Sequence, residues 1–316
     1  MQSLASDNNS GAHPEVVAAM LAANVGHAAA YGDDEWTGRA TELARARFGA
    51  GATVGFAFNG TGANVVGLQL LLKPWGHVLA PATAHIGVDE CGALERLCGA
   101  KLVTVVTIDG KLRPGDVVEA HRGVGNVHST QPCVVSIAQA TECGTSYTAE
   151  EVRALAETTH ALGMTLHMDG CRLANAAAHL GTPLGALTLE AGVDVCSFGG
   201  TKNGAVFGEM IVARADLAEP LGFLTKQLAQ LGSKQRFVAA QFEALLTDDL
   251  WLRNARHANS MATRLAEGST PSTASAAHTG SRPTRCSPAS PPPPSPRCRH
   301  TRRSTCGTRP GRWYAS

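Results

Sequence analysis

Two segments place chemically reactive residues directly after apolar runs. Lys202 lies in the glycine-rich sequence SFGGTKNG, and Asp169 and Arg172 lie in MDGCRL. Partial burial disfavours an ammonium ion, so a lysine set among small residues becomes a better nucleophile. A carboxylate at a strand end can hold a protonated ring nitrogen, and an arginine beside it can bind a substrate carboxylate through two parallel hydrogen bonds. The alternatives are a solvated loop lysine and a local Asp169–Arg172 ion pair.

Three further positions carry weaker signals. Gly60 and Thr61 lie in NGTGAN, between a strand-like run and a helical run. Backbone N–H groups at a helix N-terminus bind phosphate, although a tight turn needs glycine in any case. His85 follows the strand-like run HVLAP, and His128 precedes the run PCVVSIAQ. An imidazole can stack on an aromatic cofactor or exchange a proton near neutral pH. The alternatives are a helix-capping role for His85 and an ordinary loop position for His128.

The order of these features is more informative than any one of them. A glycine-rich turn, a histidine, a strand-end aspartate and then a lysine 33 residues later are what a pyridoxal phosphate enzyme of the aspartate-aminotransferase superfamily fold requires. In such enzymes the lysine forms a Schiff base with the cofactor. The aspartate keeps the pyridine nitrogen protonated, so that the ring can accept electrons. The sequence therefore predicts pyridoxal 5'-phosphate as the cofactor.

The chain also resembles the low-specificity L-threonine aldolases of the β-eliminating lyase group. The resemblance extends over roughly residues 3–266. It depends most on the pattern DGxRLxNA followed by a lysine at this distance, which is fairly specific to that family. The matching segments are SDNNSGAHPEV, YGDDEWT, NGTGAN, the His85 segment, MDGCRLANAA, SFGGTKNG and SKQRFVAAQ.

The resemblance implies a set of residues that hold the cofactor. Lys202 would bind it covalently, Asp169 would pair with its ring nitrogen, and His85 would stack on the ring. Gly60 and Thr61 would hold its phosphate.

The resemblance also implies residues that bind the substrate or connect two subunits. Ser6 and Arg172 would bind the substrate carboxylate, and His128 would lie near the substrate β-hydroxyl. Tyr31 would lie near the active site across a dimer interface, and Arg236 would reach either the phosphate or that interface. The expected assembly is a homodimer or homotetramer.

The function implied by the resemblance is the cleavage of a small amino acid. L-Threonine or L-allo-threonine would be split by a retro-aldol reaction into glycine and acetaldehyde, with His128 or His85 removing the hydroxyl proton. A β-eliminating lyase or an aminotransferase would use the same Asp169 and Lys202, and an inactive cofactor-binding remnant is the non-enzymatic alternative. The cysteines form no CxxC pair, so neither a zinc ribbon nor a thioredoxin motif is expected, and no residue is assigned as a metal ligand.

Alternating strand-like and helical segments predict how these residues are positioned. Apolar strand-like runs at VGFAF, HVLAP, KLVTVVT, PCVVSIAQ, TLHMDG, VDVCSFGG and EMIVAR are separated by helical patterns. This alternation predicts an α/β fold with a mostly parallel sheet flanked by helices. The resemblance implies that this fold is the large domain of a fold type I pyridoxal phosphate enzyme. In such folds the chemistry lies where strands end and helices begin.

Composition excludes several other classes. The 316 residues carry a net charge of +1, which argues against nucleic-acid binding. No run of 18 apolar residues is present, so no membrane association is expected. The first residues lack the basic and apolar regions of a signal peptide, which predicts a cytoplasmic protein.

The last 48 residues differ sharply from the rest of the chain. Residues 269–316 contain eight arginines and nine prolines but no acidic residue, and no Leu, Ile, Val, Met or Phe. We expect residues 1–268 to form the cofactor-binding large domain and residues 269–316 to be a disordered Pro/Ser/Arg-rich tail. The family's small C-terminal domain would then be missing or altered. A reading-frame shift explains this composition better than a functional basic tail.

Overall fold

A computed structural model describes residues 6–268 of the chain. The proposed tail, residues 269–316, lies outside the described residues, so the predicted domain boundary stays a prediction. Within residues 6–268 no helix is both long enough and apolar enough to span a membrane.

Seven strands form one sheet. They are β1 (Thr53–Ala57), β2 (Gly76–Pro81), β3 (Lys101–Val105), β4 (Gln131–Ala138), β5 (Thr165–Asp169), β6 (Val195–Gly199) and β7 (Glu209–Ala213). Their order across the sheet is β1-β7-β6-β5-β4-β2-β3. Strand β7 is antiparallel to both β1 and β6, and the remaining pairs are parallel. The predicted mostly parallel sheet is therefore confirmed.

Eleven helices accompany the sheet within the described residues. They are α1 (Pro14–Ala22), α2 (Glu35–Phe48), α3 (Gly60–Leu71), α4 (His85–Val88), α5 (Pro114–Ala120), α6 (Ala149–Ala161), α7 (Leu173–Leu180), α8 (Leu184–Leu187), α9 (Ala218–Gln227), α10 (Arg236–Leu246) and α11 (Leu250–Gly268). Between β2 and β3 the chain forms the short helix α4 and a π-helical turn at Leu94–Cys98.

Apolar side chains pack on both faces of the sheet. On one face, Phe48, Phe198 and Phe242 are fully buried, with the Phe48 and Phe198 rings packed edge to face at 5.5 Å. On the other face, α3 packs across β5, β6 and β7. The α3 sequence GTGANVVGLQLL suits this position, because nearly all of its residues after Thr61 are buried. The sheet is thus covered on both sides, as expected for parallel strands.

Candidate active site

The carboxyl ends of the parallel strands bring the predicted aspartate and lysine to one edge of the sheet. Asp169 is the last residue of β5, and Lys202 follows β6 in a short 3₁₀ turn, Thr201–Asn203. Because β5 and β6 are parallel neighbours, their carboxyl ends point the same way. Their charges also lie close enough for both Asp169 and Lys202 to influence the pKa of His85.

Asp169 is a buried carboxylate with strong hydrogen-bond donors. The backbone N–H of Cys171 donates to Oδ1 at 3.0 Å, and the side-chain amide of Asn64 donates to Oδ2 at 2.8 Å. Burial acts to raise the pKa of Asp169, but these donors more than offset it and leave the pKa below its usual value. Asp169 therefore stays ionised, as a partner for a protonated ring nitrogen must.

A second buried carboxylate connects His85 to Asp169. The Asn64 amide nitrogen also donates to Oε1 of Glu90 at 2.8 Å, and the same oxygen lies 2.9 Å from Nδ1 of His85. The Glu90 side chain is only 1% exposed. Its hydrogen bond to His85 is the main reason why the pKa of His85 is raised. Nδ1 of His85 is thus occupied by Glu90, and Nε2 is the nitrogen left to exchange a proton.

Asn64 and Glu90 were not predicted as site residues. Asn64 lies within the glycine-rich segment NGTGAN, one helical turn after Gly60, and Glu90 lies five residues after His85. A polar residue at a buried position of an apolar helix was the signal that could have identified Asn64, which is 1% exposed.

The N-terminus of α3 offers a compact set of backbone donors. Asn59 caps the helix by accepting from the N–H of Gly62 at 2.8 Å. A Cβ at Gly60 would lie 3.0 Å from Sγ of Cys171, and a Cβ at Gly62 would meet the side-chain amide of Gln230. Both neighbours are the ends of side chains, so a substitution at either glycine would require these side chains to move. The N-terminus of a helix such as α3 suits a phosphate group.

Lys202 is partly buried beside a cavity of about 420 Å³ lined mainly by the start of the chain and by α11. The turn that carries it is tied to α11 by two hydrogen bonds. Nδ2 of Asn203 donates to the Trp251 carbonyl at 3.1 Å, and Nδ2 of Asn254 donates to the Asn203 carbonyl at 2.8 Å. No ion pair found within residues 6–268 involves Lys202. Lys202 is thus held through the turn that carries it and not through an ion pair of its ammonium group.

The predicted carboxylate-binding residues lie together near the start of the chain. Nε of Arg172 donates to Oδ2 of Asp7 at 2.8 Å, and its Nη2 donates to Oδ1 at 3.2 Å. Ser6 precedes Asp7 and accepts from the N–H of Asn8 at 3.2 Å. The described hydrogen bonds of Arg172 therefore go to Asp7 and not to Asp169. They leave Nη1 available to a ligand.

Three predicted residues have their described contacts elsewhere. His128 is exposed on the loop before β4, and its backbone N–H donates to Oδ1 of Asn126 at 3.0 Å. The Tyr31 ring is 51% exposed and packs under the ammonium of Lys226. Arg236 stacks on aromatic rings, including that of Trp36, and its Nη1 donates to the carbonyl oxygen of Val25. Their roles stay predictions.

The residues present fit pyridoxal phosphate. An ionised buried carboxylate, a partly buried lysine and the N-terminus of a helix are the protein groups that its ring nitrogen, aldehyde and phosphate need. The orphaned Oδ1 of Asn64, which has no hydrogen-bond partner among the described residues, lies in the same network. These groups lie at the carboxyl ends of the parallel strands and at a helix N-terminus, an arrangement that suits a cofactor with a ring nitrogen, an aldehyde and a phosphate.

The chain belongs to the β-eliminating lyase family, whose description "Beta-eliminating lyase" matches residues 3–278. It is 47% identical over 268 residues to the low specificity L-threonine aldolase of Pseudomonas aeruginosa, covering 84% of this chain and 78% of that protein. It is also 47% identical over 260 residues to the low specificity L-threonine aldolase of a Pseudomonas species, covering 82% and 75%.

Solved structures agree with this assignment. The threonine aldolase of Leishmania major superposes with a TM-score of 0.79 at 33% identity, covering 83% of this chain and 77% of that one. The aspartate aminotransferase of Thermus thermophilus superposes with a TM-score of 0.64 at 16% identity, covering 82% and 69%. The second likeness concerns the fold alone.

Proposed function

We propose that this chain is a pyridoxal 5'-phosphate-dependent aldolase that cleaves L-threonine or L-allo-threonine into glycine and acetaldehyde. The observation that carries the proposal is the buried, ionised Asp169 at the same sheet edge as Lys202. The identity of 47% to two proteins named low specificity L-threonine aldolase supports the choice of reaction.

The cofactor would be held at three points. Asp169 would keep the ring nitrogen protonated, Lys202 would bind the aldehyde carbon, and the N–H groups of Gly60 and Thr61 would hold the phosphate. His85 would lie against the ring. When bound, the cofactor supplies a sink for the electron pair that remains when a bond at Cα breaks.

The residues of this chain would then direct which bond breaks. Nη1 of Arg172 would bind the substrate carboxylate, with Asp7 holding the guanidinium in place and Ser6 adding a hydroxyl contact. A base, His85 through its Nε2 or His128, removes the β-hydroxyl proton. The Cα–Cβ bond breaks, the β-carbon leaves as the aldehyde carbonyl, and Cα takes up one proton to give glycine.

We also propose a homodimer or homotetramer in the cytoplasm, with Tyr31 near the active site across the subunit interface and Arg236 either at the phosphate or at that interface. Large apolar side chains exposed in the described part of the chain support an assembly, among them Phe223 at 71% and Leu21 at 68%. Light scattering of the purified full chain measures its mass; a monomer at micromolar concentration would refute the assembly.

The function is tested by product analysis. The full chain with pyridoxal phosphate is incubated with L-threonine and, separately, with L-allo-threonine, and glycine, ammonia, keto acid and pyridoxamine phosphate are measured. The proposal expects glycine and acetaldehyde. Ammonia with a keto acid would indicate a β-eliminating lyase, pyridoxamine phosphate an aminotransferase, and bound cofactor with no product an inactive remnant.

A further inference from the structure

A third carboxyl group is buried beneath the turn that carries Lys202. Glu209 is the first residue of β7 and is only 3% exposed. In the sheet it lies opposite Gly199 of β6 and Ala57 of β1. Neither neighbour has a polar side chain, so the groups that bind the Glu209 carboxyl lie outside the paired strands.

The hydrogen bond that is described for the Glu209 side chain goes to the turn that carries Lys202. Its Oε2 accepts a hydrogen bond from the backbone N–H of Gly200 at 2.9 Å. The hydroxyl of Thr201, which donates to the Gly208 carbonyl at 3.5 Å, lies close enough to lower the pKa of the same carboxyl group. Gly200 and Thr201 are the two residues that immediately precede Lys202. Glu209 therefore binds the turn on the N-terminal side of the lysine.

The rest of the turn depends on Gly200. Its carbonyl accepts from the N–H groups of Asn203 at 2.9 Å and Ala205 at 3.0 Å. A Cβ at Gly200 would lie 2.6 Å from the Gly208 carbonyl oxygen and 2.7 Å from the Phe242 ring. Gly200 is thus held by its N–H, its carbonyl and close packing, and Glu209 supplies the first of these restraints.

The charges around Glu209 belong to the candidate active site. Burial is the main reason why the pKa of Glu209 is raised to about 7. The nearby negative charge of Asp169 adds to this effect, and the positive charge of Lys202 opposes it. The Cys171 thiol also faces this group. Helix α3, which packs on β7, has no titratable side chain. A buried ionisable group is costly to retain, and such groups concentrate at functional sites.

We propose that Glu209 is a positioning residue for Lys202: its carboxyl group holds the backbone N–H of Gly200 and so fixes the turn that presents the lysine to the cofactor. The proposal rests on the proposed function, because it assumes that Lys202 binds pyridoxal phosphate covalently. Glu209 itself touches neither cofactor nor substrate in this scheme.

Two cofactor probes separate positioning of the lysine from general support of the pocket. Pyridoxal phosphate bonds to Lys202 through its aldehyde, whereas pyridoxine 5'-phosphate has an alcohol there and binds only through its ring and phosphate. Dissociation constants of both probes are measured by absorbance and fluorescence on the apo full chain, for the wild type, E209A, E209Q and E209D. D194A is the matched control, since Asp194 is also a buried carboxylate, 2% exposed, but precedes β6 at its opposite end.

We expect E209A to weaken pyridoxal phosphate binding by about tenfold or more and to change pyridoxine phosphate binding by less than about twofold. E209Q, whose amide oxygen still accepts from Gly200, should restore pyridoxal phosphate binding to within about threefold of the wild type. D194A should lower the melting temperature without changing either constant. If E209A does not fold, E209D carries the comparison, because its shorter side chain cannot reach Gly200 in the same way.

Two results would overturn the role of Glu209. One is an equal loss of affinity for both probes in E209A and E209D, and the other is no loss for either. Borohydride reduction and peptide mapping of the wild type separate this failure from that of the proposed function. If the wild type carries no cofactor at Lys202, the proposed function is wrong; if it does and E209A binds normally, only the role of Glu209 is wrong.

Discussion

Replacing Asn64 with leucine tests the buried network that supports Asp169. The Asn64 amide nitrogen donates to two buried carboxylates, Asp169 at 2.8 Å and Glu90 at 2.8 Å. A hydrogen bond to a charged group typically contributes about 1.5–3 kcal/mol, so N64L should lower the free energy of unfolding by about 3–6 kcal/mol at neutral pH. Leucine keeps a similar volume, so the loss comes mainly from the two missing donors.

The effect of N64L should depend on pH in a defined direction. The Asn64 donor helps to hold the pKa of Asp169 below its usual value of 3.8. A depressed carboxyl pKa contributes stability that is present above the unfolded-state value and is lost as pH falls through the folded-state value. The difference in the free energy of unfolding between the wild type and N64L should therefore be largest at neutral pH and should become smaller as the pH falls to about 4 and below.

Urea unfolding at several pH values measures this difference, with N59A as the control on the same helix. Asn59 caps α3 through a single bond to the Gly62 N–H, and losing such a cap costs about 1 kcal/mol. The reasoning is refuted if N64L loses no more stability than N59A, or if the difference does not change with pH.

Three further predictions concern carboxyl groups of the site. D169N should keep the fold and most of the cofactor but lose threonine cleavage by orders of magnitude, because the ring nitrogen would no longer be held protonated; near-normal turnover of a cofactor-loaded variant would contradict this. E90Q should lower the pKa of His85, since the Glu90 hydrogen bond raises it. Proton NMR titration of the His85 ring measures this pKa, and an unchanged value in E90Q would show that the prediction is wrong. The pKa of Glu209 is raised from 4.5 to about 7, so the wild type should lose about 3 kcal/mol of stability relative to E209Q as pH rises from about 4.5 to about 8. This prediction is wrong if urea unfolding gives the same pH dependence of stability for the wild type and E209Q.

The sequence predicts which residues lie at the carboxyl ends of the strands better than it predicts the contacts between those residues. Asp169 and Lys202 follow apolar runs, and parallel strands bring their carboxyl ends to one edge, so both could be identified from the strand pattern alone. Asn64 contacts Asp169 across 105 residues of sequence, and this contact depends on how α3 crosses the sheet. The spacing of apolar residues in the sequence does not determine how α3 crosses the sheet.

The ion pair of Arg172 and the burial of Glu209 also depend on how distant parts of the chain are arranged. The partner of Arg172 is Asp7, 165 residues away, whereas the sequence suggested only its neighbour Asp169 as a candidate. Glu209 was interpreted simply as the start of a strand, because the antiparallel position of β7 between β1 and β6 could not be predicted from the apolar pattern. Burial of its carboxyl group beneath Gly200 follows from that position.

The most direct test of the account compares the wild type with K202A on L-threonine in the presence of pyridoxal phosphate. Glycine and acetaldehyde are measured in the same reaction over time. We predict that the wild type releases the two products in equal amounts and that K202A, although folded by circular dichroism, releases neither. Glycine formation by K202A at a rate near that of the wild type, or ammonia and a keto acid as the products of the wild type, would contradict it.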